Sequence, residues 1–407
     1  MALIRKMNNT IIMKNIKAKW VIFALIATSQ LNAVKLSAQT DSSNATPEIV
    51  NSPQGGAEKL LLAGEVSTLW QNSQFKGSPS ANTFGADPLG LMLMPLVKLT
   101  DRLFLDVQAA ITANPAPGGG AAASLNEAII YYRVTPALSV FAGNFQPRSG
   151  LYEGILDDFT NRYCSVPVGM GIGVQTESGI GIQGGIQTGY SKLLYQLYVA
   201  NGPQLVVDSS GKENGTLIYG NYTDNNINKA IGGEIGFLPF SNSTLEIGVS
   251  GQYTPKTGDA GTPFESISST SAAAYLNYYH LFNPVMIRVQ GQYEYTQTKN
   301  FDLYKPLTDT LLFPHFNNQI SGWYLGATIC VNGAKNTILS SLELGGRIGQ
   351  LVTPVNALWG ANPVNQTTIC LTYWFTWKTP INIAYDIYTQ AGNPTQTVLT
   401  VRGMWFF

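Results

Sequence analysis

The sequence predicts an all-β protein: a transmembrane, antiparallel, up-and-down β-barrel of about sixteen strands, with short periplasmic turns and long external loops. Three observations predict it. Charged side chains are 12% of the 407 residues, about half the usual soluble share, yet no apolar run reaches the roughly 20 residues a helical span needs. Polar and apolar residues alternate with a period of two from residue 59 to the end, as in strands with one face in lipid and one in water. Short and long connections also alternate, which gathers the long loops at one end.

The chain begins with its address. Lys14, Lys17 and Lys19 precede the apolar run Trp20 to Thr28, and small residues follow at Ala33 and at Ser37-Ala38. This is the pattern of a secretory signal peptide over 1–38, cleaved after Ala38, with Ala33 as the second choice. Met7 and Met13 are alternative starts. A membrane anchor helix would need a longer apolar run. No cysteine sits at either cleavage point, which disfavours a lipoprotein. Residues 1–38 hold six Lys or Arg and no acid, so their removal leaves 18 basic against 24 acidic side chains, a net charge of −6. That balance disfavours nucleic acid as a partner. Residues 39–58 are polar and contain Pro and Gly, a flexible periplasmic lead too short for a plug domain. The barrel occupies 59–407.

The strands follow in order. The first spans 59–72 and the second 90–99, across a loop at 73–89. Thr100-Asp101-Arg102 turns the chain into 103–113, and 114–121 leads to 122–133. Thr135-Pro136 turns into 138–147. The connection 148–171 precedes 172–187. Gly189-Tyr190-Ser191 turns into 192–201, and 202–228 leads to 229–239. Ser241-Asn242-Ser243 turns into 244–256, and 257–269 leads to 270–281. Asn283-Pro284 turns into 284–298, and 299–317 leads to 318–331. Asn332 to Asn336 turns into 337–350, and 351–363 leads to 364–377. Lys378-Thr379 turns into 380–390, and 391–394 leads to the last strand, 395–407. An even count returns the chain to the periplasmic side.

Within each strand the charges keep to one face. Asp106 and Gln108 oppose Leu105 and Val107. Arg288, Gln290, Gln292 and Glu294 oppose Ile287, Val289, Tyr293 and Tyr295. Glu343 and Arg347 oppose Leu344 and Ile348. A Lys or Arg facing lipid at the midplane costs about 2–4 kcal/mol, so the charged face is the lumen. The last strand, VRGMWFF, places Arg402 on the lumen face and Trp405 and Phe407 on the lipid face, in the periplasmic aromatic girdle.

With its signal peptide, alternating strands and terminal Phe407, the chain resembles the bacterial outer-membrane porins. VFAGNFQPRSGLYEG (Val140 to Gly154), LYQLYVANGP (Leu194 to Pro203) and DNNINKAIGGEIGFLP (Asp224 to Pro239) are similar to the phosphate-selective porin O/P-like families, although no lysine cluster accompanies them. The resemblance implies a water-filled channel for small hydrophilic solutes or ions in the outer membrane of a Gram-negative-type bacterium. It implies outer-membrane lipids as surroundings and a homotrimer as the assembly. It also implies recognition of Trp405 and Phe407 by the barrel-assembly machinery.

Connection 148–171 is the candidate constriction. It follows strand five, where general porins fold a loop inward. It carries Arg148, Glu153, Asp157, Asp158 and Arg162 beside Leu151, Tyr152, Ile155, Leu156 and Phe159, apolar residues that a solvated loop does not need. An ordinary external loop is the alternative. The lumen wall carries Glu65, Asp106, Glu127, Glu177, Glu234, Glu246, Glu294, Glu343 and Asp386 against Arg133, Arg148, Arg288, Arg347 and Arg402, a weakly cation-preferring or non-selective lining. An outer-membrane barrel enzyme and a closed structural or adhesive barrel are the alternatives. His280 and His315 fall at opposite ends of the barrel and cannot share a site. Cys164, Cys330 and Cys370 have no metal-ligand spacing, and no P-loop or zinc motif occurs, so neither metal nor cofactor is expected.

Overall fold

A computed structural model describes residues 60–113, 120–151, 163–170, 172–207, 215–220, 222–304, 311–313, 318–331, 337–354 and 361–407. The signal peptide and lead expected over 1–58 lie outside the described residues, as do Glu153, Asp157, Asp158, Arg162 and His315.

Sixteen strands close into one antiparallel barrel. They are β1 Leu60–Phe75, β2 Ala81–Lys98, β3 Leu103–Ala113, β4 Ala121–Thr135, β5 Leu138–Phe145, β6 Glu177–Thr188, β7 Ser191–Ala200 and β8 Ala230–Leu238. The second half is β9 Leu245–Thr254, β10 Ser269–Phe282, β11 Val285–Thr298, β12 Asn318–Val331, β13 Leu342–Val352, β14 Val364–Thr376, β15 Thr379–Gln390 and β16 Gln396–Phe406. Each pairs with its sequence neighbours, and β1 closes on β16 from Glu65↔Phe406 to Phe75↔Gln396. Closure leaves no strand edge unpaired, which a backbone surrounded by lipid requires.

The faces sort as the alternation predicts. On β13, Glu343 and Arg347 are buried toward the interior while Leu344 and Ile348 are exposed on the outside. On β16, Thr400, Arg402 and Met404 point inward, and Trp405 is exposed on the outer face beside Phe407, with ring centroids 5.2 Å apart. Glu343→Cys and Leu344→Cys, each in a background lacking the native cysteines, are expected to differ in labelling by a charged, membrane-impermeant thiol reagent. Position 343 reacts and 344 does not. Equal labelling, or labelling at 344 alone, would place the register one residue off.

Three stretches differ from the pattern-based expectation. The loop expected at 73–89 is a tight hairpin, because β1 and β2 continue to Phe75 and from Ala81. Polar residues such as Asn72 and Asn82, whose side chains bond at 2.6 Å, extend the ladder above the apolar zone where alternation fades. The strand expected from residue 337 starts in a helical turn, α1 Thr337–Ser340, in which Ser340 Oγ donates to Thr337 O at 3.0 Å. Strand six begins at Glu177 rather than 172, because Ile172 and Gly173 belong to the inner segment described below. The external loops also hold structure that the periodicity missed. Gln204–Leu205 pairs with Leu217–Ile218, and Leu303–Tyr304 with Leu311–Phe313. Leu205, Ile267 and Phe301 pack into a small apolar core shared by the loops after β7, β9 and β11.

Candidate functional site

All nine acids expected on the lumen wall are buried on the inward face: Glu65, Asp106, Glu127, Glu177, Glu234, Glu246, Glu294, Glu343 and Asp386. Arg347 and Arg402 are buried there too. Arg288 is partly exposed, opposite Thr328. Arg133 lies at the periplasmic end of β4, where its guanidinium stacks 5.0 Å from the centroid of the Phe104 ring.

The segment between β5 and β6 leaves the wall and runs along the inner face at mid-height. Its first arm, residues 146–151, passes from β4 to β7 to β9. Gln146 N donates to Glu127 Oε1 (2.7 Å, β4), Arg148 N to Gln196 Oε1 (3.0 Å, β7) and Gly150 N to Ser250 Oγ (3.0 Å, β9). The Arg148 guanidinium lies 3.7 Å from Glu234 on β8. Tyr275 on β10 donates to Glu234 and lies 3.2 Å from Glu246, so one phenol joins two carboxylates that face one arginine. Leu151 is fully buried with Met170, Tyr275 and Tyr324.

The second arm, residues 163–176, is held by β11 to β15. Arg347 donates to Ser165 O at 3.0 Å and to Ser165 Oγ at 2.8 Å, and its guanidinium lies 4.8 Å above the Tyr163 ring. Ser165 Oγ also donates to Asp386 Oδ1 at 2.8 Å, an oxygen that accepts from Thr368 and Gln366 as well. Gln366 Oε1 accepts from Val168 N at 2.6 Å, and Thr296 donates to Ile172 O at 2.7 Å. At Gly169 (φ +85°) the two backbones touch. A Cβ there would sit 2.9 Å from Gly322 Cα and 3.0 Å from Gln350 O, so this contact requires glycine.

Both described arms are therefore fixed to inward-facing polar side chains. Buried backbone groups need such partners when no strand ladder supplies them. Of the constriction residues expected from sequence, Arg148 sits at the wall, and the remaining four lie outside the described residues. Sequence reasoning missed the anchors: Ser165, Tyr163, Gln196, Ser250, Gln366 and Tyr275. Their only signal was polar residues recurring at inward positions with no charge to flag them.

At the mouth, the loop after β7 reaches across the opening. Gly215 O accepts from Asn318 Nδ2 at 2.7 Å on β12, Gly220 N donates to Thr176 O at 2.8 Å, and the Tyr222 hydroxyl meets Asn144 Nδ2 at 3.1 Å on β5.

His280 lies near the periplasmic end of β10, between Tyr278 (6.3 Å, stacked) and Phe282 (4.4 Å). Among the described residues no group of three or more His, Cys, Asp or Glu could hold a metal ion. Cys330 and Cys370 sit on β12 and β14, and Cys164 on the second arm.

No protein-family model matches this sequence, and no curated protein is significantly similar to it. Solved structures are similar. The outer membrane channel DcaP of Acinetobacter baumannii is 10% identical, with a TM-score of 0.53 over 86% of this chain and 97% of that one. OprB of Pseudomonas putida is 8% identical, with a TM-score of 0.54 over 86% and 94%. The anion-selective porin from Comamonas acidovorans is 14% identical, with a TM-score of 0.52 over 86% and 99%. At these identities the likeness speaks to the fold alone, that of a closed sixteen-stranded antiparallel outer-membrane β-barrel.

Proposed function

We propose that this protein is an outer-membrane porin, a water-filled channel for passive diffusion of small hydrophilic solutes or ions. The segment 148–171 forms its constriction. The observation that supports this reading is the anchoring of both arms of that segment, by backbone and side-chain hydrogen bonds, to inner-wall residues from β4 to β15. An ordinary external loop has no reason to bond at mid-height. A sixteen-stranded barrel is wide enough to keep an aqueous path beside such a segment.

Nine inward acids against five bases give the lining a weak preference for cations, or none. The anion selectivity in the name of the Comamonas porin is therefore not transferred to this chain. Phosphate is not proposed as the solute either, because three of the five inward arginines are engaged by protein groups: Arg347 by Ser165, Arg148 by Glu234 and Arg133 by Phe104. The outer-membrane lipids, the barrel-assembly machinery and a homotrimeric assembly belong to this proposal.

Purified protein in planar bilayers is expected to give stable, stepwise open conductance that scales with salt concentration. Its reversal potential in a salt gradient should lie near zero or slightly toward cations. A barrel that inserts and gives no steps would favour the closed or enzymatic alternatives.

A further inference from the structure

On β3 and β4 the inner wall carries acids that no described protein group neutralises. Asp106 and Gln108 are two residues apart on the inward face of β3, so their Cα atoms are separated by about 7 Å. Gln108 lies directly opposite Glu127 of β4 in the strand register, which brings their Cβ atoms to about 5 Å. Asp106 lies opposite Ile129, two residues from Glu127 on the same inward face, so the two acids are diagonal neighbours across the ladder. All three side chains are withdrawn from solvent, at 4%, 2% and 1% exposure for Asp106, Gln108 and Glu127.

Their bonding is incomplete. Glu127 uses Oε1 to accept Gln146 N, but its buried Oε2 has no hydrogen-bond partner among the described residues. Neither the amide oxygen nor the amide nitrogen of Gln108 has one. Among the described residues no basic side chain pairs with Asp106 or Glu127. The inward base of β4, Arg133, lies over Phe104 instead. Two buried carboxylates side by side are costly unless positive charge is shared between them. An unpartnered buried amide in the same place requires a partner of its own.

We propose that Asp106, Glu127 and Gln108 form a divalent-cation site on the pore wall, where two carboxylates and one amide oxygen replace part of the ion's water shell. Oxygen-only ligands select a hard cation such as Ca²⁺, whose flexible coordination accepts three protein oxygens completed by water. One divalent ion balances both charges, which a single monovalent ion does not. Through Gln146 the site touches the base of the inner segment, so occupancy also fixes the point where that segment leaves the wall. This site rests on the channel reading for its access to solution.

The test uses the full-length protein refolded in detergent micelles, with Tb³⁺ as the probe and tyrosine excitation as the readout. Tyr131 is buried on the same inward face of β4, four residues from Glu127. Sensitised Tb³⁺ luminescence is expected to saturate and to be displaced by Ca²⁺ at about 10⁻⁴–10⁻³ M, the range of partly hydrated sites. The double variant Asp106→Asn/Glu127→Gln should lose the Ca²⁺-displaceable signal. Gln108→Ala, which breaks no existing hydrogen bond, should weaken Ca²⁺ several-fold while keeping the fold, and so covers a double variant that fails to refold. In parallel, millimolar Ca²⁺ should reduce K⁺ current through the wild-type channel and leave the double variant's current unchanged. Absence of saturable, Ca²⁺-displaceable luminescence in the wild type overturns the site, as does a signal that survives unaltered in both variants. Because luminescence needs no current, a protein that binds Ca²⁺ but does not conduct overturns the channel reading and leaves the site standing.

Discussion

Deleting Phe407, or replacing Trp405 and Phe407 with serine, is expected to remove the protein from the outer membrane and leave it unfolded in the periplasm. The last residue does two jobs at the seam where β1 meets β16. Phe407 N donates to Gly64 O at 3.1 Å, and Gly64 N donates to Phe407 O at 3.2 Å, so its backbone extends the closing ladder by one pair. Its ring packs at Gly64 and beside Trp405, where a larger residue at 64 would collide with it. Each backbone bond contributes about 1 kcal/mol and the aromatic pair about 0.5–1.5 kcal/mol. Lost together at the closing seam, they leave two strand edges to fray in the step that must close last. On the proposed function, Trp405 and Phe407 are also the pair that the barrel-assembly machinery reads. Fractionation with immunoblotting checks the result, together with resistance of the folded barrel to protease. Outer-membrane levels equal to the parent would refute it. Trp405→Phe should be tolerated, because it keeps an aromatic at the interface.

The barrel was legible because lipid imposes a period of two on every wall strand. Glu343 and Leu344 differ by one position and fall on opposite faces for that reason alone. The same logic fixed the inward acids, since a misplaced carboxylate in hydrocarbon would be costly at each of the nine positions. Legibility ended where lipid ended. Above the membrane zone the outer face of β1 and β2 turns polar, alternation loses contrast, and the hairpin at 76–80 was read as a long loop. At the periplasmic end Thr337–Ser340 satisfies its own backbone in one helical turn, which leaves no periodic trace.

The inner segment was legible only by its composition. Leu151 among charged residues marked the stretch as something other than a solvated loop, and Leu151 is indeed fully buried. Its anchors could not be read, because they come from strands scattered over the whole chain. Ser165 meets Arg347 and Asp386 across gaps of 182 and 221 residues. Both partners are legible as charged wall residues, yet nothing along the chain pairs either with Ser165. The bases expected on the lumen wall take different places: Arg133 is held against Phe104 at the periplasmic end, while Arg347 grips the second arm.

Neutralising the loop acids, with Glu153→Gln, Asp157→Asn and Asp158→Asn together, is expected to shift the reversal potential toward anions and to change the unitary conductance. The two arms that flank these residues are fixed at mid-height, at Gly150 against Ser250 and at Ser165 against Arg347 and Asp386. Eleven residues, 152–162, separate the last described position of the first arm from the first of the second. On the proposed constriction reading, charges in this stretch act in a confined passage, where the low dielectric of the wall limits screening. In open solution salt screens a charge beyond about 8 Å, so the same change in an exposed loop should do little. The control is Asp208→Asn, Glu213→Gln and Asp224→Asn in the loop after β7. Deleting 151–160 should widen the passage and admit larger sugars in a liposome swelling assay. Arg347→Ala tests the grip independently of the loop's own charge. It removes two hydrogen bonds to Ser165, each about 1.5–3 kcal/mol for a charged donor, and should convert a steady conductance into a larger, noisier one. Arg347→Lys should rescue only in part, because an ammonium cannot reproduce the planar fork that reaches both Ser165 atoms. If the loop triple and its control shift selectivity equally little, and Arg347→Ala leaves the current steady, selectivity resides in the wall and the inner segment is a brace.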